Sequence, residues 1–243
     1  MKVVAIIPAR LESTRLPNKP LLDIDGLPMA IHVLKRTMLC NDVDEVYVAT
    51  CNQEIIDAVE RYGGKGLMTS AEHPTGTDRI VEAIDNIDCD LVVNVQGDEP
   101  LIRPEHISAS IKPLLEDDEL EVTTLYCKKN ELNNPNDVKL VKNLKGDVLY
   151  FSRADVPSPI RVKHNEILKQ CGLYCFRKEF LKKFAAWKQT PLEKIESVEL
   201  LRALERGYRI MAVEVSESQS VDVLEELEAV RKLMKNDELR KKY

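Results

Sequence analysis

The chain has 243 residues, of which 44% are apolar and 31% charged, and a formal net charge of −6 at pH 7. A chain of this length buries a substantial core without metals or disulfides and accommodates one large α/β domain or two small ones. The acid excess argues against a general nucleic-acid binder, which carries a basic surface, so any site for a polyanion must be local.

The chain opens on the strand-like run MKVVAII, without the charged, apolar and cleavage regions of a signal peptide. No apolar run approaches the length that crosses a bilayer. A cytoplasmic protein without membrane insertion is expected. Cys40, Cys51, Cys89, Cys127, Cys171 and Cys175 are scattered without CxxC spacing or nearby ligand-spaced histidines, which predicts reduced, structural thiols. Cys171 and Cys175 share a face if GLYCF is a strand, although same-face neighbours within one strand seldom form disulfides.

In chain order, VVAII reads as a buried strand, followed by a helix over 29–39, the strand EVYVAT and a helix over 54–62. KGLM, a helix over 77–87, DLVVNV and a helix over 104–115 continue the alternation. Strand–helix alternation of this kind predicts an α/β fold with a doubly wound, mostly parallel sheet. After residue 121 the pattern changes to the short strands EVTTLY, DVKLVK, DVLYF and CGLYCF, which predict a smaller antiparallel lobe over about 121–180. A helix over 192–206, the strand RIMAVEV and a helix over 223–234 complete the chain, and the charged tail DELRKKY is expected to fray. With no clear linker, residues 1–243 are expected to form a single domain.

Between the first strand and first helix lies PARLESTRLPNKPL, carrying Arg10, Arg15 and Lys19 with Glu12 as its one internal acid. Loops at the C-terminal ends of parallel strands are where open α/β sheets bind phosphorylated ligands. The glycines of a Walker loop or a dinucleotide fingerprint are absent, so side-chain charge must neutralise the phosphates. This position predicts a nucleoside triphosphate as ligand; a solvated basic loop is the alternative.

DLVVNVQGDEP brings Gln96, Gly97, Asp98 and Glu99 out at the end of a buried strand. Asp98 is suited to a hard cation such as Mg²⁺, or to capping the next helix. Asp222, in SQSVDVLEEL, is the candidate second carboxylate; the alternative is a helix cap with Glu225 folding back. In HPTGTDRI, Thr75 and Gly76 either cap a helix or hold a base or ribose, and Arg79 either reaches the ligand or pairs with Glu82 or Glu72.

PARLESTRLPNKPL, VATC, HPTGTDRI, VNVQGDEP, LYFSRADVP, KQCGLYCFRKE, LEKIESVELLR and SVDVLEEL run collinearly along essentially the whole chain. Together they resemble the 3-deoxy-manno-octulosonate (Kdo) cytidylyltransferases. That resemblance implies a Rossmann-like nucleotidyltransferase fold and transfer of CMP from CTP to the anomeric hydroxyl of an acidic keto-sugar, releasing pyrophosphate, in cell-surface polysaccharide synthesis. It implies that Pro8, Ala9, Arg10, Arg15, Lys19, Thr75, Gly76 and Arg79 enclose the nucleotide. Arg10, Arg15, Lys19 and Asp98 would carry the chemistry, with Asp98 and Asp222 holding Mg²⁺. Gln96, Arg153, Gln170, Tyr174, Glu199 and Leu200 would face the sugar, with Arg153 meeting its carboxylate. A homodimer, with the 121–180 lobe contributing to sugar binding and dimerisation, is also implied.

The chain departs from the family pattern at two sugar positions, where Gln170 replaces a histidine and Leu200 a glutamine. Cys51 stands in VATC for an aspartate, and SVDVLEEL keeps Asp222 but lacks a Thr-Pro pair. A buried hydroxyl left unpaired costs about 1–3 kcal/mol, so the acceptor is either a modified Kdo-like sugar or Kdo itself with both contacts replaced by neighbours or water. Two other functions fit the residues: a nucleotidyltransferase acting on a sugar 1-phosphate, whose phosphate Lys169, Arg177 or Arg202 would meet, and a nucleotide-binding regulator without turnover.

Overall fold

The computed structural model describes residues 1–13 and 15–243. The chain forms two compact units, Met1–Ser108 with Ser218–Tyr243, and Ala109–Glu217.

In the first unit, β1 (Val3–Pro8) enters as a run of apolar residues buried on both faces. The short hairpin β2 (Asp23–Ile24) and β3 (Leu27–Pro28) precedes α1 (Met29–Met38), β4 (Glu45–Thr50), α2 (Gln53–Arg61), β5 (Lys65–Met68), α3 (Gly76–Ala83) and β6 (Leu91–Asn94). The strands order β6-β1-β4-β5, and each of these pairings is parallel. Continuous apolar runs suit strands covered on both faces, which is why VVAII and LVVN read as they do. The β2–β3 hairpin was not foreseen. Its signal is the Asp25-Gly26 dipeptide, whose φ values of 49° and 82° match a two-residue turn with both residues left-handed.

The chain leaves the first unit along α4 (Pro104–Glu116). The second unit contains β7 (Val122–Lys129), β8 (Lys139–Lys142), β9 (Val148–Ser152), β10 (Ile167–Arg177), α5 (Lys178–Ala186), α6 (Pro191–Glu196), α7 (Leu201–Leu204) and β11 (Met211–Glu214). β10 pairs antiparallel with β7 and β8, β8 antiparallel with β9, and β11 parallel with β7. The fold class is therefore as expected, mostly parallel α/β with a smaller antiparallel part. The final helix, α8 (Leu224–Met234), belongs to the first unit.

Two local expectations are corrected. The helix expected over 192–206 is two short helices. The Glu193 carboxylate folds back to accept from the Thr190 amide at 3.1 Å at the start of α6, and Ser197 ends it in the left-handed region at φ 53°. Arg202 of α7 then donates to the Glu193 carboxylate at 2.5 and 2.9 Å, a buried pair that fixes α7 against α6.

The tail expected to fray is also ordered. Asp237 caps a 3₁₀ turn over Glu238–Lys242, Leu239 is buried, and the Tyr243 hydroxyl reaches α1. There Arg36 Nε donates to Tyr243 Oη at 3.0 Å, and His32 Nδ1 lies 2.9 Å from the same oxygen. His32 Nε2 donates to the Ile24 carbonyl at 2.6 Å, so in the neutral ring Nδ1 accepts from the Tyr243 hydroxyl. Burial first, then the nearby guanidinium charges of Arg240 and Arg36, against the Ile24 bond, lower the His32 pKa to about 4.

Among the described residues, which include all six cysteines, no disulfide is formed. Cys171 is hydrogen-bonded to the Cys127 thiol on β7, and this bond holds Cys127 below the ordinary thiol range. Burial pushes the Cys175 thiol up.

Candidate functional site

The cationic loop is set by anchors at both ends. At its start, the Ala9 amide donates to the Ala49 carbonyl, Leu11 to Asn52 Oδ1, and Asn52 Nδ2 to Glu12. The Glu12 carboxyl lies below its ordinary range, chiefly through a bond from its own backbone and then through Asn52. Further along, Leu16 packs into an apolar cluster with Ile24, Met29, Val221 and Leu227. That cluster joins the loop to the N-terminal end of α8. The cations are thereby carried by a segment in which Ala9, Leu16 and Pro20 are buried.

The acidic side is built from two distant segments. Gly97 follows β6 and approaches the loop so closely that a Cβ there would lie 2.7 Å from the Pro8 carbonyl oxygen. The Val221 amide donates to the Asp98 carbonyl at 2.9 Å, which sets Asp222 beside Asp98. Asp222 does not cap α8 with Glu225, the alternative use of this residue. Glu226 folds back instead and accepts from the amides of Asp222 and Val223 at 2.6 and 3.2 Å, leaving the Asp222 carboxylate to face the loop.

Lys19 closes this arrangement. Its ammonium donates to Asp98 Oδ2 at 2.8 Å, Asp222 Oδ1 at 3.0 Å and the Val221 carbonyl at 3.0 Å. Burial alone would lower its pKa, but the charge of Asp98 and the hydrogen bonds to both carboxylates outweigh burial and raise it. Arg15 Nη2 lies 3.1 Å from Asp222 Oδ1, and Arg10 is exposed at the rim.

A cleft of about 350 Å³ is lined by Pro8, Arg10, Arg15, Lys19, Asp98 and Asp222, with Gln96 among its further walls. A smaller adjoining cleft of about 130 Å³ is lined by Pro8, Ala9, Arg10, Thr75, Gly76, Arg79 and Gln96. All the residues assigned to the nucleotide, both carboxylates and Gln96 are thus gathered within the first unit. Thr75 takes the capping role, accepting from the Asp78 amide and donating to Asp78 Oδ2 at 2.7 Å. Arg79 is buried rather than paired with Glu72 or Glu82: Nη1 donates to Thr69 Oγ1 at 2.5 Å and to the Ser70 carbonyl at 3.1 Å, and Nη2 to Cys51 Sγ. His73, which lines the smaller cleft and pairs with Glu82, was not singled out from the sequence, although it opens the HPTGTD motif.

The residues assigned to the sugar, other than Gln96, lie in the second unit. Arg153 donates from Nε to the Glu196 carbonyl at 2.8 Å, from Nη1 to the carbonyls of Pro135 and Asn136, and from Nη2 to the Ser197 carbonyl. Gln170 Nε2 donates to Thr124 Oγ1 at 3.3 Å. Tyr174 is half-buried edge-on to Phe176, and Glu199 is half-buried. Leu200 has no exposed surface. Its side chain is a core residue of this unit.

A parallel sheet carrying a side-chain-charged loop at its strand ends, opposite a carboxylate pair that gathers positive charge, is the arrangement of a nucleotidyltransferase. Comparison with known proteins makes this particular. Residues 4–210 match the family described as cytidylyltransferase. A 3-deoxy-manno-octulosonate cytidylyltransferase from Geobacter metallireducens is 46% identical over 95% of this chain and 96% of its own length, and one from Escherichia coli is 40% identical over 96% of each. Among solved structures, a CMP:2-keto-3-deoxy-manno-octonic acid synthetase complexed with CTP superposes with a TM-score of 0.92 at 39% identity, covering 97% of this chain and 99% of that one. The chain belongs to the cytidylyltransferase family and, within it, to the 3-deoxy-manno-octulosonate cytidylyltransferases.

Proposed function

We propose that this enzyme transfers CMP from CTP to the anomeric hydroxyl of Kdo. The observation that carries the reading is the set of Arg10, Arg15 and Lys19 around Asp98 and Asp222 in one cleft of the first unit. Arg10 and Arg15 meet triphosphate oxygens with forked donors, and Lys19 adds a point charge. Thr75, Gly76 and Arg79 border the smaller cleft, which takes the nucleoside. The sugar hydroxyl attacks the α-phosphorus in line as the bond to the β-phosphate oxygen breaks; pyrophosphate leaves and the hydroxyl proton passes to solvent. The chain's part is positioning and neutralisation of charge that grows on the phosphate oxygens.

The carboxylate pair fits Mg²⁺. Hard oxygen donors from Asp98 and Asp222 converge on one positive charge, the Lys19 ammonium, which stands in the position of a cation. Bound there, the ion would neutralise phosphate oxygens and keep several waters.

Kdo is the acceptor because Leu200 is buried in the core of the second unit, so the departure at this position does not place leucine against a ligand. The sugar 1-phosphate reading loses its cations: Lys169 pairs with Asp137 at 3.3 Å, Arg177 donates to the carbonyls of Leu114, Asp117 and Leu120, and Arg202 is buried on Glu193. Arg153 serves the sugar carboxylate from a backbone frame that fixes its guanidinium. The enzyme works as a cytoplasmic homodimer, supported by exposed Leu149, Ile160, Val162 and Ile195 in the second unit, apolar side chains that a partner would cover.

Pyrophosphate release from CTP and Mg²⁺ tests the reading, with Kdo, its 8-amino analogue, nonulosonic acids and sugar 1-phosphates as acceptors. Turnover greatest on Kdo is expected. Turnover confined to another acidic sugar would move the specificity, and CTP binding without any turnover would make the chain a nucleotide-binding regulator. Sedimentation equilibrium tests the dimer.

A further inference from the structure

The Lys19 ammonium has three N–H donors, and all three have an oxygen partner: Asp98 Oδ2 at 2.8 Å, Asp222 Oδ1 at 3.0 Å and the Val221 carbonyl at 3.0 Å. The pair is also touched by Arg15, whose Nη2 lies 3.1 Å from Asp222 Oδ1 with a largely exposed side chain. Lys19 is the more enclosed of the two cations, its side chain only 16% exposed. The two carboxylates are therefore already neutralised by the chain itself.

An ammonium that fills its valence on these oxygens and a divalent ion bound by the same oxygens cannot coexist at low cost. Mg²⁺ binds oxygen at about 2.0–2.1 Å. An ammonium still bonded to both carboxylates would then stand about 4 Å or less from the dication, where repulsion is strong even in a water-like dielectric. Lys19 is flexible enough to leave, being a point charge on a four-carbon stem, and its next natural partner is a triphosphate oxygen.

We propose that Lys19 is an internal counter-ion that occupies the carboxylate pair until nucleotide arrives, so that the triphosphate draws Lys19 off and thereby opens Asp98 and Asp222 to the metal. This rests on the Mg²⁺-dependent reading above and adds an order of assembly to it. Metal binding is weak while Lys19 sits on the carboxylates and tight once the phosphates hold it. Each ligand favours the other by the same factor, as linkage requires. The lysine thus does two things: it neutralises the pair when the site is empty and the triphosphate when the site is full. A free metal ion is kept from the carboxylates before substrate is present.

The test is Mn²⁺ affinity without nucleotide, read by electron paramagnetic resonance of free Mn²⁺, for the unmodified enzyme, Lys19→Met and Lys19→Gln. Both substitutions are expected to tighten Mn²⁺ binding by about 30-fold, the factor set by a dication and an ammonium 4 Å apart in water. Two near-neutral variants guard against one failing to fold, and thermal unfolding checks each. Asp98→Asn on the Lys19→Met background should abolish the gained site; a retained site would place the ion elsewhere and overturn the proposal. Unchanged or weaker Mn²⁺ binding in both lysine variants would overturn it as well, even with the Mg²⁺ reading intact. That reading is checked separately by water-proton relaxation of the unmodified enzyme with Mn²⁺ and CTP and no sugar: if no protein-bound metal–nucleotide complex forms, the reading and the proposal fall together.

Discussion

The Val221 amide donates to the Asp98 carbonyl at 2.9 Å, and this backbone bond joins the loop after β6 to the residue before Asp222. Two carboxylates far apart in the chain are thereby held at the reach of one lysine. Their spacing is a property of backbone pairing rather than of side-chain choice, so it withstands many substitutions around it and few in the backbone that makes it.

The close approach at Gly97 is one such place. Gly97→Ala would set a Cβ 2.7 Å from the Pro8 carbonyl, and the contact is backbone on the far side, which yields poorly. Destabilisation of about 1–3 kcal/mol is expected, with a raised KM for CTP because the cationic loop and Asp98 are pushed apart. Chemical denaturation and steady-state kinetics check both; a variant as stable and as active as the parent would show that the loop shifts freely.

Arg79 is a buried support for the smaller cleft. Arg79→Ala leaves Thr69 Oγ1 and the Ser70 carbonyl without their donor and is expected to cost about 2–3 kcal/mol. Arg79→Lys cannot bridge two acceptors in the same fork and should recover only part of that. The KM for CTP should rise in both, while an effect confined to the sugar KM would contradict the placement.

Glu196 holds the segment that carries Arg153, the residue proposed to meet the sugar carboxylate. Its carboxylate accepts from Tyr150 Oη at 3.2 Å, Ser152 Oγ at 3.0 Å and the Arg153 amide at 2.8 Å. In Glu196→Gln an N–H donor must face one of these donors, so the Arg153 segment shifts. The KM for the sugar is expected to rise about tenfold, one charge-assisted hydrogen bond's worth, with the KM for CTP unchanged. Equal increases in both would mean general unfolding rather than positioning.

His32 makes stability depend on pH. The folded state holds the ring neutral down to about pH 4, whereas the unfolded chain protonates near the ordinary value of 6.5. Between those values the unfolded state binds the extra proton, so stability is complete above about pH 6.5 and falls as pH drops toward 4. With each tenfold of proton affinity worth about 1.4 kcal/mol, the loss is of the order of 3 kcal/mol. His32→Gln, which does not titrate, should give a flatter unfolding curve over that window; an identical pH dependence would exclude His32 as its source.

Much of this was legible because strands buried on both faces and amphipathic helices write their periodicity into the sequence. VVAII, EVYVAT and LVVN became β1, β4 and β6, and the charge of the loop after VVAII was visible without any structure. Asp98 and Asp222 were each ambiguous between capping and ligation. Only the fold shows that Glu226, not Glu225, folds back on the α8 entry and that Lys19 meets both acids. The break at Ser197 gave no glycine or proline signal, because it is enforced by the buried Arg202–Glu193 pair. The tail read as frayed because its charges are local, whereas its order comes from the distant contacts of Tyr243 with His32 and Arg36.

The sequence by itself determined the α/β class, the cationic loop and the types of residue available for a nucleotide and a metal, since periodicity, charge and motif order are local properties. The tertiary structure alone decided which of those residues meet. The Lys19–Asp98–Asp222 cluster, the buried Arg79, the backbone frame of Arg153 and the burial of Leu200 depend on distant segments brought together by packing and backbone hydrogen bonds, and no local pattern encodes those distances.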